Sequence, residues 1–446
     1  MLKKITWPNL IAWLFYLLVF LLPWQTRWLA WPGKLNGGFW EYGTFSLYAI
    51  DLLWLLVLLL FVFWQINQKP PSLKTRMAKL NFALLTFFLA ALLSTFWASD
   101  KSLAWYGFWK LSQGLSLVWL LASARFIKTV RVVLALVMGA AIQSWLAIWQ
   151  FLAQSAFSDK WLGLAEHSPG DLGASVLEAF DGRWLRAYGA LPHPNILAGF
   201  LAIALLLLIS LGLTAKERYQ KLFVLIGSIF TATALFFTFS RGAFVGLIIG
   251  LAVYGLAGLL SRDKKVQKRL TIWFLLLLIT FGSLAVIFRE PFMARATGQG
   301  RLESQSINQR LTYYGQAGEL LKNNWYHGIG INNYTLAVKE EVISNLQAYD
   351  YQPVHNVYLL ILAELSIFGL LIFLYIACRI LFILYYFLLV HKGLAYSPIL
   401  AGLNIALIAS LVMMLFDHYF WTLHFGIFLF WLLVGLLARE IRKTGA

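Results

Sequence analysis

The sequence predicts an all-α polytopic membrane protein. Of its 446 residues 61% are hydrophobic and 12% charged, the mean hydropathy is +0.74, and apolar runs of about 20 residues recur along the whole chain, the length a helix needs to cross a bilayer. A water-soluble fold has no use for that much apolar surface. One cysteine, Cys378, lies within an apolar run, which excludes an intrachain disulfide and argues against redox chemistry.

The runs predict twelve transmembrane helices, near 7–24, 45–66, 80–97, 103–122, 132–154, 194–214, 222–239, 242–260, 271–288, 356–378, 394–416 and 421–437. The net charge of +17 would suggest nucleic acid in a soluble chain, but its distribution follows topology. Alternate connections carry Lys3 and Lys4; Lys69, Lys74, Arg76 and Lys79; Arg125, Lys128 and Arg131; Lys216, Arg218 and Lys221; Arg262, Lys264, Lys265, Lys268 and Arg269; Lys392; and Arg439, Arg442 and Lys443. The positive-inside rule makes these segments and both termini cytoplasmic. Membrane lipids are therefore the expected surroundings, and no nucleic-acid partner is expected.

The first span is expected to be retained, because the basic start runs into it with no small-residue cleavage pattern before Trp24. Trp24, Trp28, Trp31, Trp40, Trp97 and Trp105 fall at predicted span ends and are expected to be interfacial anchors. With no linker-like or low-complexity tract, residues 1–446 are read as a single membrane domain. Two outer connections are long, 155–193 and 289–355, and loops of that length are usually functional or disordered. The larger is expected to be partly helical, with a helix over 307–323 where Leu311, Tyr314, Ala317 and Leu321 recur at helical spacing. The working face is expected to be extracytoplasmic.

Three predicted helix starts on that face collect the unusual residues. Arg186, Tyr188, His193, Pro194 and Asn195 precede or open the sixth span, with Pro194 suited to a first turn and His193 or Asn195 able to serve its free N–H groups. Ser240-Arg241-Gly242 breaks two apolar runs at the eighth, with Ser240 a natural N-cap and Gly242 suggesting a tight backbone approach. Pro353, His355 and Asn356 open the tenth. An arginine at membrane depth is costly unless it faces a cavity, a partner or the interface. Helix N-termini and the planar forks of Arg186 and Arg241 together suit a phosphate or diphosphate. His355 is the best candidate for a general base. No catalytic carboxylate pair stands out, and His167, Asp171, Asp181 and His193 lack metal-ligand spacing, so neither metal nor cofactor is expected.

Phe239-Ser240-Arg241-Gly242-Ala243, the upstream Arg186 to Asn195, Gly328-Ile-Gly330-Ile-Asn332-Asn333-Tyr334, and His355-Asn356-Val-Tyr358-Leu359 with Glu364 and Gly369-Leu370 resemble the O-antigen ligase and O-antigen polymerase superfamily, in matching order over residues 180–375. The resemblance implies a bacterial integral-membrane glycosyltransferase of polysaccharide biosynthesis in the cell envelope. It would act at the extracytoplasmic face of the inner (cytoplasmic) membrane on glycans carried by undecaprenyl diphosphate. The acceptor would be a hydroxyl on another glycan, on the lipid-A core of lipopolysaccharide, or elsewhere. Carried over, Arg186 and Arg241 would hold the donor diphosphate and His355 would activate the acceptor, by direct displacement without metal. Ser240, Asn195, Tyr188, Arg310 and Asn356 are the expected substrate-binding residues. Ligases of this kind commonly carry a glycine where this chain has Ser366, a departure within a span that should disturb packing more than chemistry. The alternative is a flippase or exporter of a lipid-linked glycan, which would need charges along a path through the bilayer. Asp51, Lys110 and Glu364 are the main charges within spans, and for Asp51 and Lys110 a structural pair and a relay are both open.

Overall fold

A computed structural model describes residues 6–68, 78–180, 182–261, 263–298, 300–390, 394 and 397–444. Lys3, Lys4, Lys69, Lys74, Arg76, Asp181, Arg262 and Lys392 lie outside the described residues. Each predicted span coincides with a helix. The first nine are α1 (Trp7–Leu21), α2 (Ala49–Ile66), α3 (Ala78–Ser94), α4 (Lys101–Ser123), α5 (Thr129–Ala153), α6 (Pro194–Thr214), α7 (Arg218–Thr238), α8 (Arg241–Leu260) and α9 (Lys264–Ile287). Then come α10 (Arg289–Thr297), α11 (Arg301–Asn324) and α12 (Tyr334–Ala337), followed by α13 (Val357–Val390), α14 (Pro398–Met413), α15 (Tyr419–Thr422) and α16 (His424–Thr444). Eight of the described helices are long and apolar enough to cross a membrane, and α1, α3 and α14 are shorter apolar helices. The 23-residue α4 carries the polar residues Lys110 and Gln113 on its buried side. This is a multi-pass membrane protein.

α6 is apolar all round and is buried along its length, walled by α7, α14 and α8. α9 keeps most of its surface outward, as a lipid-facing helix does. The site faces of α6 and α8 are thereby held in one rigid layer.

The connections depart from expectation in instructive ways. The stretch 24–48 is a β-ribbon rather than a span end, with β1 (Arg27–Trp31) antiparallel to β4 (Phe45–Tyr48) and β2 (Lys34–Leu35) to β3 (Gly38–Phe39). Four residues assigned to the second span are therefore strand. Trp28 and Trp31 are exposed on this ribbon, but Trp40 is buried against Gly43 and is core, not an anchor. β5 (Val176–Ala179) pairs with β6 (Gly182–Leu185) in the loop before α6. α11 begins six residues before the expected 307. Its first turn carries Glu303, whose ion pairs with Arg241 and Arg295 hold a segment that has no apolar periodicity to announce it.

α13 is broken at Ser366, which has φ 69° and ψ 178°. A broken helix in a membrane must have its freed backbone groups paired within the protein. Here Ile329 N donates to Ala363 O at 2.9 Å, Gly330 N to Glu364 O at 3.1 Å, and Ile367 N to Trp325 O at 2.9 Å. Gly328, at φ +76°, packs so closely that a Cβ would lie 2.6 Å from the Glu364 carbonyl oxygen. The Gly328 to Tyr334 motif is thus a plug for the break in α13. Ser366 sits in backbone space that favours glycine, and such a residue carries roughly 1–3 kcal/mol of strain. Ser366→Gly is therefore expected to raise stability by about 1 kcal/mol, read as a higher unfolding midpoint in detergent. An unchanged or lower midpoint would show the conformation to be unstrained.

Asp51, Lys110 and Glu364 are each partnered within the protein. Asp51 accepts from Gln113 at 2.7 Å and pairs with His424 Nε2 at 2.7 Å. Lys110 donates to Thr422 O at 3.2 Å and Asn332 Oδ1 at 3.4 Å. Glu364 accepts from Trp421 Nε1 at 2.8 Å. The Asp51 to Lys110 pair does not form; His424 is the partner of Asp51.

At the opposite end, basic residues close helix C-termini: Arg439 donates to Ala124 O and Arg125 O, and Arg269 to Leu213 O. If charge bias sets orientation, single cysteines at exposed positions 170 and 319 in a Cys378→Ser background are expected to react with an impermeant thiol reagent on intact cells. One at exposed position 265 is not. Labelling at 265 from outside would invert the assignment.

Candidate functional site

The site is built around the turn between α7 and α8. Phe239 takes a left-handed conformation, φ 49°, and ends α7 abruptly, so that Ser240 opens α8 in the N-cap position. The Ser240 side chain makes no cap hydrogen bond, contrary to its sequence reading. Gly242 does mark a tight approach, and the neighbour is protein: a Cβ there would lie 3.1 Å from Phe416 Cβ.

The carbonyl groups that end α7 are taken by arginines. Arg186 Nε donates to Thr238 O at 2.7 Å and Arg295 Nε to Phe239 O at 2.8 Å. Arg186 is buried, and its other nitrogens reach Ser175 Oγ at 2.7 Å and Asn195 Oδ1 at 2.8 Å. Burial and the Arg295 charge work against its own charge. Arg241 has a side chain 44% exposed and one ion pair, to Glu303 Oε2 at 3.1 Å. Arg310 is half-buried; among the described residues no hydrogen bond or ion pair engages its guanidinium. Its charge acts on His355, Asp417, His418 and His193.

Asn195 joins this cluster to a second one. Its Nδ2 donates to Asp417 Oδ2 at 3.0 Å, while Asp417 Oδ1 accepts from His418 N at 2.8 Å. His355 stands beside them, stacked on Tyr313 with 5.8 Å between centroids and edge-on to His418 at 5.0 Å. His418 Nδ1 is engaged by Thr422 Oγ1 at 2.7 Å, whereas His355 Nδ1 is buried without a hydrogen-bond partner. Tyr42 comes from the β-ribbon, its ring edge-on to His418 and its hydroxyl donating to Gln352 Oε1 at 2.8 Å.

Burial holds the His355 imidazole below its usual value; Asp417 opposes this and Arg310 adds to it. His418 is pushed down to about 3, by burial and then by His355. Burial would raise Asp417, but His355, His418, Arg310 and His193 together hold it below the usual carboxylate range. Near neutral pH the arrangement is a neutral imidazole beside a carboxylate and an unpaired guanidinium, a geometry that can accept a proton.

One donor atom each of His355, Asp417 and His418 lies within 4.8 Å of the others, a set that could hold a metal ion. The Arg310 charge directed at all three is unfavourable for a dication. The residues weighed as ligands from sequence do other work: His167 stacks on Tyr188, Asp171 accepts from Ser168 N, and His193 Nδ1 caps α6 by accepting from Asn195 N.

The sequence-predicted residues thus divide. His355, Arg186, Asn195, Arg241 and Arg310 share one region. Tyr188 supports it from behind, its hydroxyl accepting from Ser175 N at 2.6 Å. The Asn356 side-chain oxygen accepts from Tyr358 N and Leu359 N and caps α13. Asp417 and His418 were not singled out in the sequence, although a polar pair between two apolar spans is the same signal that exposed Arg241. Arg295, Tyr42, Tyr313 and Gln352 carried no local signal.

Residues 226–374 match the model of a family described as O-antigen ligase. The matched stretch holds Arg241, Arg295, Glu303, Arg310 and His355, and leaves Arg186, Asn195, Asp417 and His418 outside. The chain is also 28% identical over 206 residues to the teichuronic acid biosynthesis protein TuaE of Bacillus subtilis, a stretch that is 44% of this chain and 40% of that protein.

Proposed function

We propose that this chain, similar to the O-antigen ligases over residues 226–374, transfers a glycan from a polyprenyl-diphosphate carrier, undecaprenyl diphosphate in bacteria, to an acceptor hydroxyl at the extracytoplasmic face of the membrane. The observation that carries the reading is the junction made by Asn195, which connects an arginine cluster to a neutral histidine beside Asp417. Phosphate chemistry and proton-accepting chemistry are thereby adjacent, as a displacement at a sugar carbon requires.

In this reading Arg241 and Arg310 hold the diphosphate and take up the negative charge that develops as the sugar C1–O bond breaks. Arg186, buried and bonded to Thr238, Ser175 and Asn195, fixes the α7 end against α6 and adds its charge. The acceptor oxygen attacks the anomeric carbon from the opposite side and gives its proton to His355. One glycosidic bond forms, the bond to phosphate breaks, the lipid diphosphate leaves, and the configuration inverts. Asp417 stabilises the imidazolium that results. Ser240 and Asn195 lie beside this path, and the acceptor is an envelope glycan, in keeping with the similarity to a teichuronic acid biosynthesis protein. A flippase reading is less well supported, because Asp51, Lys110 and Glu364 pair internally.

The test is to incubate the purified protein with a defined undecaprenyl-diphosphate glycan and candidate glycan, lipid-A core or teichoic-type acceptors, and to identify the product by mass spectrometry. Release of lipid diphosphate with a new glycoside supports transfer. An unaltered donor with every acceptor, from protein that binds it, would sink the reading.

A further inference from the structure

Glu303 is 8% exposed and lies between two arginines, Arg241 from the start of α8 and Arg295 from α10. Both of its oxygens are used, Oε2 by Arg241 and Oε1 by Arg295. Arg295 is 12% exposed, and its Nε is tied to Phe239 O, so its fork is aimed from the same turn that presents Arg241. The charge around this turn does not balance. Arg186, Arg241, Arg295 and Arg310 influence one another, and the carboxylates facing them are Glu303 and, through Asn195, Asp417. A doubly charged anion would restore neutrality. Two guanidinium forks converging on one planar carboxylate also present the donor geometry that phosphate oxygens take.

We propose that Arg295 is a further ligand of the donor phosphates, and that Glu303 is a displaceable counter-ion that occupies a phosphate position while the site is empty. This rests on the donor-site reading above and deepens it: the ligand class is a diphosphate, and binding exchanges one carboxylate for one phosphate between Arg241 and Arg295. Glu303 swings off the forks and the first turn of α11 moves with it, so the helix that also bears Arg310 responds to donor arrival. Displacement weakens apparent affinity by the free energy of the pairs it breaks, and a coupling of this kind is typically worth 5–150-fold. The weakening would help the spent carrier leave.

The experiment measures affinity by calorimetry on the purified full chain in detergent, with inorganic pyrophosphate and a short-chain polyprenyl diphosphate as separate probes. Glu303→Gln is expected to tighten binding about tenfold, and Arg295→Gln to weaken it by at least as much. Tightening with both probes assigns the position to phosphate itself, and tightening with the polyprenyl diphosphate alone assigns it to the lipid carrier; both outcomes support the proposal. Unchanged or weaker binding in Glu303→Gln shows that Glu303 organises the arginines and overturns it. Should Glu303→Gln fold poorly, Arg295→Gln decides: binding equal to the unaltered protein overturns the proposal. Arg241→Ala separates the two readings. If it loses binding while Glu303→Gln changes nothing, the counter-ion inference alone fails; if it binds both probes normally, the donor-site reading itself fails.

Discussion

Replacing His355 with alanine is expected to slow glycan transfer by roughly 10²–10⁴-fold while leaving donor affinity, which rests on the arginines, nearly intact. The ring of His355 is held between Tyr313 and His418 with its Nδ1 buried and unpaired, so its loss removes a proton acceptor without removing a phosphate contact. Turnover and donor affinity must be measured on the same preparation. Normal turnover would reduce His355 to a helix-entry residue, and a parallel loss of donor binding would move it among the diphosphate ligands. The pH profile adds a sign. A base works only when neutral, so the rate should fall as pH drops through the His355 pKa, which burial places below the usual histidine value. Asp417 raises that pKa; Asp417→Asn should therefore shift the acid limb to lower pH and reduce the plateau. A shift to higher pH would contradict the assignment.

Arg241→Lys is expected to fail nearly as badly as Arg241→Ala, each losing about 10²–10³-fold in transfer at matched membrane abundance. Lysine keeps the charge but gives up the planar two-point fork, and the fork is what Arg241, 44% exposed with one partner, has left to offer a ligand. Arg186 is a poorer probe, because its three internal hydrogen bonds make any substitution a packing change as well. A fully active Arg241→Lys protein would leave the site needing only a cation.

The membrane class and most of the helix positions were legible along the chain, because lipid imposes one rule on every residue it touches: apolar side chains outside and backbone groups paired within the segment. That rule is local, so a run such as 242–260 announces α8 to within one residue. The break at Arg241 was legible for the same reason, since a charge between apolar runs is conspicuous at any fold. The β-ribbon at 27–48 was hidden, because its tryptophans read equally well as interfacial anchors and its pairing depends on residues about twenty apart.

Within the site, the sequence singled out Arg186, Arg241, Arg310 and His355, polar groups that are scarce in a membrane. Which partners each of them meets depends on the tertiary structure. Nothing local distinguishes Arg186, closed by three acceptors, from Arg310, which meets none among the described residues; nor does it join Asn195 to Asp417, 222 residues away. Ser366 makes the same point in reverse: its serine was visible, but the glycine-like backbone it must adopt follows from the Gly328 plug packed against it. Composition is additive along a chain, whereas partnership between charges depends on which helix ends the packing brings to one face.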